Sequence, residues 1–199
     1  MKTLSLDEAE KVLAPFFQPI ATSIEGGFND FLNLQTMQNE NGRYVEYETH
    51  TKASIVHDCT KSHIIQHFDG LPKVKVGVFN RIFGLCITDV AFIRFKKFNS
   101  DLSTSNILTE QTRLYNQQAQ IDGLPDAPTY LYAGYKPNVT WTGLEEIFII
   151  NRINEVIIWQ ISLTKYSTEQ VVIPFSAQEN SRESRVKIKS ELQNQRRSS

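Results

Sequence analysis

A chain of 199 residues with a formal net charge of −1 has room for one domain and an appendage, and folding should remove roughly 70% of its surface from water. A core of that size needs no structural metal, and two cysteines, Cys59 and Cys86, are too few for a disulfide-built protein. The near-zero charge excludes whole-molecule attraction to nucleic acid or anionic membrane, so any such contact needs a local basic patch.

Asp7, Glu8 and Glu10 stand where a secretory leader would carry its apolar core, so no such leader is expected. No apolar run is long enough to span a bilayer, and the chain reads as soluble and cytoplasmic, without a membrane partner. Ser5-Leu6-Asp7-Glu8 has the spacing of a capping box, which predicts a helix over 6–14. Pro15 and Pro19 should interrupt it, with a second helix starting near Thr22 and ending at the Asn-Glu-Asn-Gly turn, 39–42. Residues 43–48 alternate as a short strand would.

The stretch HTKASIVHDCTKSHIIQH, 50–67, holds all four histidines and Cys59. Its length and lack of Gly or Pro predict a helix over 50–68, stopped by Gly70-Leu71-Pro72. Ala53, Val56, Thr60, Ile64 and Phe68 then share one flank. The strongest β signals follow at 73–80, 81–88 and 90–98, with Thr88-Asp89 as a tight turn. Cys86, in an apolar run, reads as a small buried hydrophobe.

A helix is expected over 108–120, with Thr109 or Ser105 near its cap and the glutamine-rich NQQAQ exposed. Residues 123–128, GLPDAP, break it. Strands follow at 129–135, 144–151 and 155–163, the last two joined through Arg152-Ile153-Asn154. Ile157, Trp159, Ile161 and Leu163 should share one face of the final strand. Beyond residue 175 apolar residues almost vanish, and Arg182, Arg185, Lys187, Lys189, Arg196 and Arg197 against Glu179, Glu183 and Glu191 give 6 − 3 = +3. Such a segment, 176–199, cannot repay the entropy of ordering by itself and is expected to be disordered or to form a short helix on a partner. Hairpins with helices grouped before and between them indicate one α+β domain over 1–175, with a mainly antiparallel sheet of about five to seven strands.

Three groups of residues could carry chemistry. On a helix Cys59, His63 and His67 form a stripe at i, i+4 and i+8, a ligand set suited to zinc. Sites built on one helix alone are unusual, and Ile-Ile-Gln between the histidines supplies no general base of the HExxH kind. No metal and no cofactor is therefore expected. His50 and His57 lie two turns apart on one face, with Lys52 and Asp58 nearby. Two imidazoles beside a phosphate can act as acid and base, as in metal-independent ribonucleases.

The second group is IRFKKF, 93–98. On a strand Arg94 and Lys96 point with Phe92 and Phe98, while Phe95 and Lys97 point oppositely. Interleaved cations and rings suit single-stranded nucleic acid, and the competing structural account is a core strand with snorkelling lysines. The third is TYLYAGYKPNVTW, where Tyr130, Tyr132, Tyr135, Lys136 and Trp141 could form a ligand or partner surface, or a packed sheet edge. Gly134 within it permits a bulge or close approach. Phosphate-binding loops, a nucleophile elbow and the acidic signature of restriction-type nucleases are all missing.

ETHTKASIVHD, FIRFKKFNSDLSTSNILTEQ, GLPDAPTYLYAGYKPN and the closing WQISL together resemble uncharacterised bacterial mobile-element proteins encoded beside small helix-turn-helix regulators. The likeness covers roughly residues 43–163. It implies a toxin–antitoxin or phage-defence context and carries no catalytic residue. The resulting expectation is an accessory protein that meets nucleic acid, in its enzymatic form a metal-independent RNase-like toxin using His50 and His57. The alternative is a non-catalytic interaction module or homodimer built on 130–141.

Overall fold

In the computed structural model, Ser5 opens the first helix through the expected capping box. Its Oγ accepts from the Glu8 backbone N–H at 3.4 Å, and the Glu8 carboxylate accepts from the Ser5 N–H at 3.0 Å. Replacing Ser5 by Ala removes one arm of the box. The expected cost is about 1 kcal/mol, read as a fall in melting temperature of about 2–4 °C.

The structure describes residues 3–105, 107, 109–124 and 129–167. The tail expected at 176–199 lies outside them, as do residues 125–128 of the GLPDAP break. Met1–Thr168 is one compact unit.

The expected break at the prolines does not occur. α1 runs unbroken over Leu6–Glu40, with Pro15 and Pro19 inside it. Pro15 is exposed and Pro19 half-buried, while Leu13, Phe17, Ile20, Ile24, Phe28 and Phe31 make a buried stripe. An interior proline costs about 3 kcal/mol, and each buried large side chain returns about 1.5–3 kcal/mol. Packing therefore overrides the local signal.

α2 covers Thr49–Phe68 and buries Val56, Thr60, Ile64 and Phe68, as its spacing indicates. It runs antiparallel to α1, because Ser23 meets His67 while Asp30 meets His63. Gly27 makes the approach close: a Cβ there would stand 2.5 Å from the Thr60 backbone nitrogen. Residues 43–48 are coil and not a strand. Tyr44 is exposed, and no neighbouring strand pairs with the segment.

The sheet has six strands in sequential order: β1 Val74–Phe79, β2 Ile82–Ile87, β3 Ala91–Lys97, β4 Tyr130–Pro137, β5 Leu144–Ile153 and β6 Val156–Ser162. All pairs are antiparallel except β3 with β4, and that one needs the crossover carrying α3, Glu110–Asn116. The protein is α+β with a mostly antiparallel sheet. Asn80-Arg81 and Asn154-Glu155 turn the two outer hairpins with positive φ at both residues, the requirement of the tight primed turn. β5 thus continues through Arg152 and Ile153, which were expected in the loop.

Both sheet faces are covered. Leu85, Ile93, Leu131 and Ile149 belong to the core shared with α1 and α2, and Phe92, Tyr130, Tyr132 and Phe148 to the core shared with Tyr115 of α3. Two-sided burial explains why β2 reads as a continuous apolar run; Cys86 within it is buried and free. A register shift at Asn151/Arg152 leaves Ile158 unpaired. Ile157 therefore joins the α3 side while Trp159, Ile161 and Leu163 stay opposite, which corrects the single-face expectation.

α3 is shorter than expected, with Thr109 as its cap. Gln118, expected on an exposed face, is buried. Its Oε1 accepts from the Tyr130 N–H at 2.6 Å, and its Nε2 donates to the Tyr130 carbonyl at 2.7 Å and the Arg152 carbonyl at 3.2 Å. The side chain completes hydrogen bonding at the ends of β4 and β5.

Candidate functional site

One face of the first half of α2 looks across at the end of β3. His50, Ala53, Ser54, His57 and Asp58 follow the i, i+3, i+4, i+7, i+8 spacing of such a face. Together with Phe95, Lys96 and Lys97 they line a cleft of about 860 Å³, to which Asn99, Ser105 and Ile107 also contribute. That volume is in the range of small-ligand sites, about 300–1,000 Å³. Four of the residues singled out in the sequence, His50, His57, Lys96 and Lys97, meet here.

The electrostatics of the cleft are unusual for its surface. His57 packs edge-on against Phe83, ring centroids 6.2 Å apart. Burial, and then the charges of Lys96 and Lys61, hold its imidazole down at about 4, against the weaker opposing pull of Asp58. At neutral pH His57 is therefore uncharged: it can accept a proton but has none to donate as an acid. Burial and then the neighbouring Arg94 guanidinium hold the Lys96 ammonium down at about 8. Lys97 donates to Asn99 Oδ1 at 3.1 Å, and Asp58 is engaged by Lys61 at 3.1 Å.

Arg94 does not join the cleft lining. Its guanidinium stacks over Tyr115 at 4.9 Å and Tyr132 at 5.9 Å, and Nη1 is buried without a hydrogen-bond partner. Strand alternation placed it with Phe92 correctly, but α3 covers that face, so Arg94 is no open nucleic-acid contact. Its charge still reaches Lys96 and His57. Lys52 also lies elsewhere, with its ammonium 5.8 Å from the Trp141 ring.

Tyr130, Tyr132, Tyr135 and Trp141 do not present a partner surface. They are 2%, 2%, 4% and 8% exposed. β4 is a central strand covered on both faces, so its rings enter the two cores: Tyr130 stacks on Tyr115 at 4.9 Å and Tyr135 meets Phe28 edge-on at 5.7 Å, while Trp141, in the loop after β4, stacks on Phe28 at 6.2 Å. Lys136 pairs with Glu145 at 2.9 Å.

The Cys59–His63–His67 stripe faces α1. His63 Nε2 meets Asp30 Oδ2 at 2.8 Å, and His67 Nδ1 meets Ser23 Oγ at 2.8 Å. Burial, then Asp30 and Asp58, push the Cys59 thiol up, away from the thiolate a metal would need. No metal-holding cluster occurs among the described residues.

No family model, curated protein or solved structure matches this chain. Asn99, Ser105 and Ile107 had no signal of their own in the sequence beyond a polar loop after β3. Among the described residues no helix is long and apolar enough to cross a membrane.

Proposed function

We propose that this chain is an accessory protein that contacts single-stranded nucleic acid through the cleft between α2 and β3. The observation that carries the reading is the meeting of Lys96 and Lys97 with His50 and His57 in one concavity, although more than forty residues of sequence separate His50 from Lys96. Cations of this kind suit phosphates, and the exposed Ile107 offers apolar surface to a base. A concavity of this size suits the splayed nucleotides of a single strand better than the outside of a duplex. The resemblance to mobile-element proteins supports a toxin–antitoxin or phage-defence setting.

Salt-dependent binding of a labelled single-stranded RNA tests the reading. Lys96→Ala and Lys97→Ala should each weaken binding about tenfold and lower the salt slope by about 0.7 per lost phosphate contact. Binding that is absent at low salt, or indifferent to both substitutions, sinks it.

The enzymatic form is a metal-independent RNase activity. His57, uncharged at neutral pH, takes the base role and leaves the acid role to His50. This form requires cleavage in EDTA that disappears in a folded His57→Ala variant. The interaction-module alternative loses its main support with the burial of Tyr130, Tyr132, Tyr135 and Trp141.

A further inference from the structure

Lys96 is a half-buried amine on the wall of an open cleft. Among the described residues it makes no hydrogen bond or ion pair, unlike Lys61, Lys97 and Lys136. Its nearest influences are cationic or uncharged. Arg94 and Lys97 flank it on β3, and across the cleft α2 presents His50 and the neutral His57. Of the two carboxylates on that helix face, Asp58 is bonded to Lys61 and Glu48 lies exposed at the mouth. A lysine serving only as an anion anchor has no need of this setting, whereas desolvation beside a second cation is the usual way to free an amine for nucleophilic attack.

We propose that Lys96 is an amine nucleophile that forms an imine with the sugar aldehyde of an abasic nucleotide in a single strand lying in the cleft. The inference rests on the nucleic-acid reading above and names the substrate class of the same site. An abasic nucleotide supplies both features the cleft selects: flanking phosphates for Lys97 and an electrophilic carbon for Lys96. In the reaction the Lys96 Nζ lone pair attacks the C1′ carbonyl, giving a carbinolamine. One nitrogen proton passes to the carbonyl oxygen as the carbinolamine forms, and His57 relays the second from nitrogen to the departing hydroxyl, which leaves as water. Amine and aldehyde become imine and water, and no further reactant is needed.

With its ammonium held down at about 8, Lys96 has roughly a tenth of its amine free at pH 7, against fewer than about one in a thousand for an ordinary lysine near 10.4. The titratable and charged groups around it are Arg94 and Lys97 on β3, His50, His57 and Asp58 on α2, and Glu48 at the cap of α2.

The test is borohydride reduction of the full chain mixed with a single-stranded oligonucleotide carrying one abasic site. Intact strand and a strand with the aldehyde-free tetrahydrofuran analogue serve as controls. The expected result is a one-to-one covalent adduct on the abasic strand only, mapped by peptide mass to Lys96. Its rate should rise with pH, be half-maximal near 8 and level off about one unit higher. Lys96→Met and Lys96→Arg should lose it at least tenfold, and Lys75→Met, on the outer strand β1, should keep it. Mapping in the wild-type chain needs no variant to fold. An adduct on other lysines, or none while the intact strand still binds in a salt-dependent way, overturns the imine and leaves the nucleic-acid reading standing. Loss of both binding and adduct overturns both.

Discussion

Replacing Gly134 by alanine is expected to destabilise the fold by about 3 kcal/mol or more, a large share of the about 5–15 kcal/mol available to a domain. Gly134 pairs with Lys96 across the parallel β3–β4 ladder. A Cβ at this position would fall on the Lys96 carbonyl oxygen, with the carbonyl carbon at 2.8 Å and Phe98 Cε2 at 3.0 Å. Backbone offers no rotamer to swing aside, so the strands must part. For a domain of this size, 3 kcal/mol lowers the melting temperature by about 6–12 °C. The strands would part at the residue that carries the cleft's central amine, so RNA binding should weaken together with stability. Urea unfolding measures the first and fluorescence anisotropy the second. A Gly134→Ala chain within about 1 kcal/mol of wild type would show that β3 and β4 are not packed this tightly.

Acid should destabilise the protein through His57. Burial lowers this group from the ordinary 6.5 to about 4 in the fold, so the unfolded chain binds its proton first. Stability is fully present above about pH 6.5 and is lost as pH falls towards 4. The loss amounts to about 2 kcal/mol by pH 5 and at most about 3 kcal/mol below pH 4. His57→Gln, which cannot titrate, should flatten this part of the stability profile. Urea unfolding at a series of pH values compares the two chains. Parallel profiles between pH 4 and 6.5 would mean that His57 protonates as freely in the fold as outside it. The same depression keeps His57 neutral near pH 7.

Some of this was legible in the chain because the signals are local. The Ser5–Glu8 spacing announces its helix start whatever packs later, and the apolar run at 81–88 reads as a strand, although only the structure shows that both its faces are buried. Local signals failed where packing outweighed them. Pro15 and Pro19 look like breaks, yet the stripe from Leu13 to Phe31 holds one helix of 35 residues. The alternation of 43–48 looks like a strand, yet no neighbour pairs with it. Gln118 looks like a solvated glutamine, yet it caps the ends of β4 and β5.

The site shows the same division. Helical spacing placed His50 and His57 on one face of α2, and strand alternation placed Arg94 and Phe92 on one face of β3. Both follow from backbone periods of 3.6 and 2. Periodicity states which side chains share a face and is silent on what covers that face. α3 and the second aromatic layer cover Arg94, central placement of β4 buries its tyrosines, and α1 takes up His63 and His67. The fold class and the residue types of the candidate cleft were thus decided by sequence alone, through local propensity and pattern. Which of those residues meet, and the proton affinities of His57 and Lys96, were decided only by tertiary structure, because burial and approach between distant segments set both.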